Sequence, residues 1–192
     1  KGLNMPKDNI DRAIKKGAGN DPDSNYEEVR YEGYGPSGIA IIVEVLTNNK
    51  NRTAAEIRST FSKFGGNLGE NGSVSYNFKR LGSISIEKKF ANEDELFEFV
   101  VENGSEDLET NDTEYTIYCE QSELHHLNEK INNKFGPTSS VQLTWKSENN
   151  IDLQKDSADK LFKLINTLED NEDVQNISSN FEVSDSVLET LT

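Results

Sequence analysis

Cysteine, tryptophan and proline are scarce in this chain of 192 residues, which contains one, one and four of them respectively. With Cys119 as the only cysteine, neither an internal disulfide framework nor a cysteine-rich zinc module can form, which is typical of a reducing compartment. No apolar run approaches the roughly 18 residues that a membrane-spanning helix requires, so we expect no membrane segment. No secretory signal is recognisable, and because the sequence starts at Lys1 we expect it to be a fragment.

Basic residues are also scarce in the second part of the chain. Residues 81–192 contain 8 Lys and Arg against 25 Asp and Glu, whereas residues 1–80 contain 12 against 10. This asymmetry indicates polyanion binding on the less acidic side. Two alternatives remain: the acidic part keeps the protein soluble and monomeric, or it docks a basic protein partner.

The first 80 residues show helix and strand periods. A helix is predicted over residues 5–17, and its short apolar stripe needs a partner helix, so we expect residues 1–22 to be the end of a truncated helical domain. Strands are predicted over residues 26–33 and 39–46. A second helix is predicted over residues 53–64. Its apolar stripe is Ala54, Ile57, Phe61 and Phe64, its capping box is Thr53 with Glu56, and Val74, Tyr76 and Phe78 alternate like a strand after it.

Residues 83–146 have the pattern β-α-β-β-α-β, which is the order of a ferredoxin-like unit. Its strands are predicted over residues 83–87, 106–109, 114–119 and 140–146, and its helices over residues 93–102 and 123–135. Asn92 and Ser122 are the expected N-caps of the two helices. A helix over residues 160–168 and a strand over residues 174–179 come next.

The sequence therefore predicts an α+β protein of two ferredoxin-like α/β sandwich domains, one inserted in the other. The split domain comprises residues 26–80 and 151–192, and the inserted domain comprises residues 81–150.

Two glycine-rich segments resemble phosphate-binding loops. Residues 33–38 match G-x-G-x-x-G, but a strand-like run follows where a dinucleotide site needs a helix, so we interpret them as a hairpin turn. Residues 65–73 could cradle phosphate with backbone N–H groups. They lack a P-loop lysine and join a helix to a strand, so a plain turn is the preferred interpretation.

No enzyme signature is present. His125 and His126 are adjacent and diverge by about 100° on a helix, so they do not chelate one metal readily. The acidic residues between positions 106 and 114 lack the spacing of a calcium loop. Cys119 has no basic neighbour or convincing histidine partner. We expect no catalytic residues, no cofactor and no metal.

The remaining candidate site is basic and binds nucleic acid through phosphate contacts. One group lies at and after the entry of the helix over residues 53–64: Lys50, Asn51, Arg52, Arg58 and Lys63. A second group lies on the first helix: Lys7, Arg12, Lys15 and Lys16. The alternative is that both groups only solubilise a helix surface.

Several of these segments together resemble the YebC family. They are Asn4 to Ile10 (NMPKDNI), Tyr31 to Pro36 (YEGYGP), Asn51 to Lys63, and Gly65 to Val74 with its GGNLG start. The resemblance covers essentially the whole chain. The family includes bacterial proteins named as transcriptional regulators and a mitochondrial translational activator of cytochrome c oxidase subunit I.

The resemblance implies a three-domain cytoplasmic protein in which a helical domain precedes two α+β domains, with the mitochondrial matrix as the alternative location. It implies a non-enzymatic, DNA-binding transcriptional regulator, with a ribosome- or rRNA-associated translation factor as the runner-up. A protein-interaction adaptor that uses its acidic face is a third possibility. We expect a monomer that does not associate with membranes. The strongly basic N-terminal segment typical of the family is missing apart from its last helix.

Overall fold

The computed structural model describes residues 25–153 and 155–183. The helix predicted over residues 5–17 lies outside these residues. The strands are β1 (Glu27–Tyr34), β2 (Ala40–Thr47), β3 (Asn67–Leu68), β4 (Phe78–Glu87), β5 (Ser105–Thr110), β6 (Glu114–Cys119), β7 (Ser140–Ser147), β8 (Ile151–Asp152), β9 (Val174–Ser179) and β10 (Phe181–Glu182). The helices are α1 (Lys50–Lys63), α2 (Glu93–Glu102), α3 (Leu124–Lys134) and α4 (Lys155–Glu169).

The predicted α+β class is confirmed, and the described residues form two compact units. The split unit contains residues 25–74, 151–153, 155–177 and 181–183, and the inserted unit contains residues 75–150 and 178–180.

The split unit is built on a four-stranded sheet of order β3-β1-β2-β9. Strands β1 and β2 form an antiparallel hairpin in which Glu27 faces Thr47 and Tyr34 faces Ala40. The apolar stripes of both helices meet this sheet in one core, because Ile57 and Phe61 of α1 and Leu161, Leu164 and Leu168 of α4 are buried with Ile41, Val43 and Val45 of β2. Strands β8 and β10 pair separately in a parallel ribbon.

The inserted unit has the β-α-β-β-α-β order that its sequence predicts. Its strands form an antiparallel sheet of order β5-β6-β4-β7, which is the ferredoxin-like arrangement. Leu96 and Val100 of α2 and Leu127 and Ile131 of α3 pack with Ile84, Ile86 and Ile117 of the sheet. The expected cap of α2 is confirmed, since the Asn92 side chain accepts a hydrogen bond from the Asp94 backbone N–H at 3.0 Å.

Two predicted caps are wrong. Helix α1 begins at Lys50, and its N-cap is Asn49, whose side chain accepts a hydrogen bond from the Arg52 backbone N–H at 3.1 Å. Thr53 is instead buried in the first turn of the helix. Ser122 does not cap α3, because a 3₁₀ turn over Gln121–Glu123 leads into that helix.

The strand expected from the alternation of Val74, Tyr76 and Phe78 is also wrong. Ser75–Asn77 form a 3₁₀ turn, and β4 begins only at Phe78. Val74 is buried while the Tyr76 side chain is 69% exposed. The period-2 pattern here arises from a turn between two units, where alternate residues meet core and solvent without sheet pairing.

Candidate nucleic-acid interface

Helix α1 carries most of the candidate binding residues that the structure describes. It contains four basic residues against one acidic residue, Glu56, in a protein with a formal net charge of −15. Its buried side is Thr53, Ile57 and Phe61, and the residues predicted to bind phosphate lie elsewhere on its surface. All five are exposed: Lys50, Asn51, Arg52, Arg58 and Lys63. The second predicted group, Lys7, Arg12, Lys15 and Lys16, lies outside the described residues.

The geometry of the helix separates these side chains into two flanks. At about 100° per residue, Asn51 and Arg58 are seven positions apart and lie on one flank. Arg52 and Lys63 are eleven positions apart and lie together on the other flank. Arg58 and Lys63 therefore point about 140° apart, so the five residues do not form a single patch.

Arg58 lies on a flank that also contains Asn51, Lys50 and the Tyr31 hydroxyl. We call this surface the Arg58 flank. Among the described residues, Arg58 and Asn51 have no ion-pair or hydrogen-bond partner for their side chains. Lys50 binds the Glu27 carboxylate on the surface, a kind of pair that contributes little and is readily exchanged for a ligand. The Tyr31 hydroxyl donates to the Lys50 carbonyl at 3.3 Å. This flank offers a guanidinium, an ammonium and an amide to an anionic ligand.

Arg52 on the other flank has a structural role. Its guanidinium donates to the Asp173 carboxylate at 2.7 Å, and its Nε lies 4.0 Å from Glu56. Asp173 precedes β9, so this ion pair joins the start of α1 to a segment 121 residues further along the chain.

Asp173 is only 6% exposed and is enclosed by donors. The same carboxylate oxygen accepts hydrogen bonds from the Thr53 hydroxyl at 2.7 Å and the Thr47 hydroxyl at 3.0 Å. Burial by itself raises the pKa of Asp173, but the hydrogen bonds from Thr53, Arg52 and Thr47 outweigh it and lower the pKa below its usual value. The carboxylate is therefore ionised at neutral pH, and it holds Arg52 in place.

Lys63 lies at the far end of the same flank, 5.2 Å from the centre of the Phe64 ring. Between Arg52 and Lys63 the surface is acidic and neutral. A shallow groove of about 530 Å³ between α1 and α4 is lined by Glu56, Asp170, Asn171 and hydroxyl side chains. Two carboxylates in this groove disfavour phosphate, so the Arg58 flank is the better candidate of the two.

The glycine-rich segment after α1 is a turn, and the backbone donors of three of its glycines are already used. The N–H groups of Gly65, Gly66 and Gly69 donate to the carbonyls of Ser62, Phe61 and Glu32. Asn67 and Leu68 form β3 and pair with Tyr34 and Gly33 of β1. The phosphate cradle that this composition suggests is thus replaced by hydrogen bonds within the protein.

The other glycine-rich segment, residues 33–38, closes the hairpin between β1 and β2, as its sequence predicts. The Gly35 N–H donates to the Ile39 carbonyl at 2.7 Å, and a 3₁₀ turn over Pro36–Gly38 completes the reversal. It precedes a strand and not a helix, so it lacks the helix N-terminus that a dinucleotide site requires.

The two glycine-rich segments pack directly on each other. A Cβ at Gly66 would lie 2.6 Å from the Tyr34 carbonyl oxygen, and a Cβ at Gly33 would lie 2.7 Å from the Asn67 carbonyl oxygen. The buried Glu32 carboxylate accepts from the Val74 N–H at 3.0 Å, and the Tyr34 hydroxyl donates to the Ser73 carbonyl at 2.9 Å. These contacts fix the chain that leaves α1 against β1.

Three of the acidic residues near position 110, all on β5, are paired with lysines of β4 and β7 in the same sheet. Lys146 lies 2.6 Å from both the Asp107 and the Glu109 carboxylates, and the Tyr118 hydroxyl donates to Glu109 at 2.9 Å. Lys79 binds Glu106 at 2.7 Å. Within residues 25–153 and 155–183, no three His, Cys, Asp or Glu side chains are grouped to hold a metal ion.

Cys119 is fully buried in the inserted unit. Burial, together with the negative charges of Glu106, Glu123 and Glu120, raises the pKa of its thiol to about 11. A thiol that stays protonated and buried is a poor nucleophile.

In the described part of the chain, no helix is long and apolar enough to cross a membrane.

The sequence predicts helix α1, but it does not reveal the contacts that separate its exposed basic residues into paired and available ones. Asp173 binds Arg52 across 121 positions, and no local pattern marks it. The sequence marks Tyr31 only as the first residue of the YEGYGP motif, whereas in the structure its hydroxyl lies beside Lys50. A helical wheel of the sequence already indicates the division, since it places Arg58 and Arg52 on different sides of the helix.

Two comparisons with known proteins agree. The profile of the family described as "TACO1/YebC second and third domain" matches residues 26–181 of this chain. The chain is also similar to a conserved hypothetical protein from Aquifex aeolicus of known crystal structure. The two chains are 43% identical, and the alignment covers 95% of this chain and 75% of that chain with a TM-score of 0.85.

Proposed function

Because the chain belongs to the TACO1/YebC family, we propose that it is a nucleic-acid-binding regulator of gene expression that acts without a catalytic step of its own. The resemblance noted in its motifs is confirmed by the same match. The structural observation that carries the proposal is the Arg58 flank of α1, where basic and amide groups remain available for phosphate.

Binding at this flank uses the nucleic-acid backbone. Arg58 and Lys50 neutralise phosphates, while the Asn51 amide donates hydrogen bonds to phosphate oxygens or sugars. These contacts position the protein without identifying bases. Arg52 supports the flank indirectly, because its ion pair with Asp173 fixes the first turn of α1.

The finer proposal, following the family's usual role, is a DNA-binding transcriptional regulator. A second candidate is a translation factor that binds structured rRNA on the ribosome. It is favoured by one feature of the Arg58 flank: its groups suit backbone phosphates and show no arrangement that specifies base edges. Structured RNA is recognised largely by shape and backbone.

The test is binding of the full chain to duplex DNA, to a structured rRNA fragment and to intact ribosomes over a salt series. We expect Arg58→Ala to weaken binding and to reduce the slope of log K against log salt by about 1. The matched control is Lys163→Ala, which removes an exposed positive charge from α4 of the same unit.

The outcomes separate the candidates. Tight binding to a particular duplex sequence supports the transcriptional regulator, whereas tight ribosome binding with weak and indiscriminate DNA binding supports the translation factor. Equal losses from Arg58→Ala and Lys163→Ala would show that overall charge and not the Arg58 flank governs binding, and the proposed interface would be wrong.

A further inference from the structure

The outer face of α2 in the inserted unit exposes two apolar side chains beside a row of carboxylates. Phe97 and Val101 are one helical turn apart, and each is 53% exposed. Residues four positions apart lie on one row of a helix surface. Asp94, Glu98 and Glu102 therefore form the neighbouring row, and Glu93 lies in line with Phe97. We call this surface the α2 face.

The carboxylates of the α2 face are unmatched, whereas other acidic residues of the same unit have partners. Helix α2 contains five acidic and no basic residues. Glu95, on its inner edge, lies 3.2 Å from Lys134. Among the described residues, none forms an ion pair with Glu93, Asp94, Glu98 or Glu102. Two lysines of the unit pair with carboxylates outside this helix, Lys79 with Glu106 and Lys146 with Asp107.

This arrangement is unfavourable for the isolated protein. Like charges four positions apart on a helix repel each other, which applies to Asp94 with Glu98 and to Glu98 with Glu102. The helix dipole favours Asp94 in the first turn, but Glu102 is in the last turn, where the dipole favours a positive charge. Two half-exposed apolar side chains lie next to this repulsive row. A ligand that covers Phe97 and Val101 and supplies positive charge would relieve both costs.

We propose that the α2 face docks a basic amphipathic helical segment of a protein partner. Apolar side chains on one row of that segment cover Phe97 and Val101, and lysine or arginine side chains on the next row pair with Asp94, Glu98 and Glu102. A helix against a helical face is a common mode of peptide recognition, and complementary charge sets its orientation. Nucleic acid is repelled by the same carboxylates, so this site and the Arg58 flank take ligands of opposite charge.

The test uses the full chain and a fluorescein-labelled 14-residue peptide of leucine and lysine with helical periodicity. A leucine and glutamate peptide of the same pattern is the ligand control. We expect binding of the basic peptide to weaken at least fivefold in Phe97→Ser/Val101→Ser. We expect a similar loss in Glu98→Gln/Glu102→Gln, which keeps the size of both side chains. Fluorescence anisotropy gives the dissociation constants.

The matched protein control is Asp112→Asn/Glu129→Gln, which removes the same charge from two exposed positions of the same unit. It should change the affinity less than twofold. Urea midpoints of the variants, all altered at exposed positions, check that the fold is retained. Amide chemical-shift changes on peptide addition should be concentrated in α2.

Three results would overturn the proposal. Equal losses from the control and the α2 variants would mean that the peptide responds only to net charge. Shift changes concentrated outside α2 would place the binding elsewhere. A concentration-dependent dimer that Phe97→Ser/Val101→Ser abolishes, seen by sedimentation, would identify a second copy of this chain as the occupant. None of these results depends on nucleic-acid binding, so the two proposals fail or hold separately.

Discussion

The Arg52 guanidinium lies 2.7 Å from the Asp173 carboxylate and joins the first turn of α1 to the residue before β9. Thr47 at the end of β2 and Thr53 in α1 donate to the same carboxylate oxygen. One buried oxygen therefore connects three elements of the split unit. Arg52 therefore fixes the first turn of the helix that carries the Arg58 flank.

We expect Asp173→Asn to lower the free energy of unfolding by about 2–4 kcal/mol, because a charged acceptor of three hydrogen bonds becomes a neutral amide among buried donors. Urea unfolding followed by circular dichroism measures the change. Arg52→Ala should have a smaller effect, since this guanidinium is half exposed. If Asp173→Asn shifted the midpoint no more than the surface variant Lys163→Ala does, the carboxylate would not connect these elements.

The same carboxylate should make stability depend on pH. Its pKa is lowered in the folded protein relative to the ordinary value of 3.8, so the unfolded chain binds the proton more readily. The stabilisation is complete above about pH 4 and is lost as the pH falls through the folded-state pKa. The difference between the urea midpoints of the parent protein and Asp173→Asn should be constant near pH 7 and should narrow as the pH falls below about 4. A constant difference down to pH 3 would contradict this assignment.

Gly66→Ala should destabilise the split unit by about 1–3 kcal/mol, because the new Cβ would lie 2.6 Å from the Tyr34 carbonyl oxygen and force β1 and the turn apart. Asn71→Ala, at an exposed position of the same connection, is the control and should be nearly neutral. Thermal unfolding distinguishes the two. Equal midpoints would mean that the backbone yields without cost at this contact.

Cys119 should react slowly with a thiol reagent in the native protein. The pKa of about 11 leaves about 100-fold less thiolate at neutral pH than the ordinary value of 9.0, and the side chain is fully buried. Labelling at pH 7.5 should therefore accelerate by at least about 100-fold when urea unfolds the inserted unit. Rapid labelling without denaturant would show that β6 opens frequently.

Three of the predicted elements, six to ten residues long, agree with the structure at both ends. Helix α2 and strands β6 and β9 have the predicted bounds, because local pattern and burial agree there. Errors occurred where a short-range signal competed with tertiary contacts. Thr53 matches a capping box, yet Asn49 caps the helix and the Thr53 hydroxyl binds Asp173.

The sequence predicts the helix that carries the candidate interface, but it does not predict which side of that helix is available for binding. The sequence places five polar residues on or beside α1, but only the partners decide which of them remain available. Arg52 is held by a carboxylate 121 positions away, and Lys50 binds Glu27 of β1. Contacts over such separations leave no trace in the periodicity of α1. From the sequence alone, Arg58 is no stronger a candidate for binding than the other four residues on or beside this helix.

The interlock between the hairpin of residues 33–38 and the turn of residues 65–69 has a consequence for protein design. A Cβ at Gly33 would meet the Asn67 carbonyl oxygen, and a Cβ at Gly66 would meet the Tyr34 carbonyl oxygen, at distances that exclude any side chain larger than hydrogen. Neither segment could be transplanted into another scaffold alone, since each supplies the surface that the other requires. The two segments therefore form one structural unit that two separate stretches of the sequence encode. A design that needs the orientation of α1 must include both.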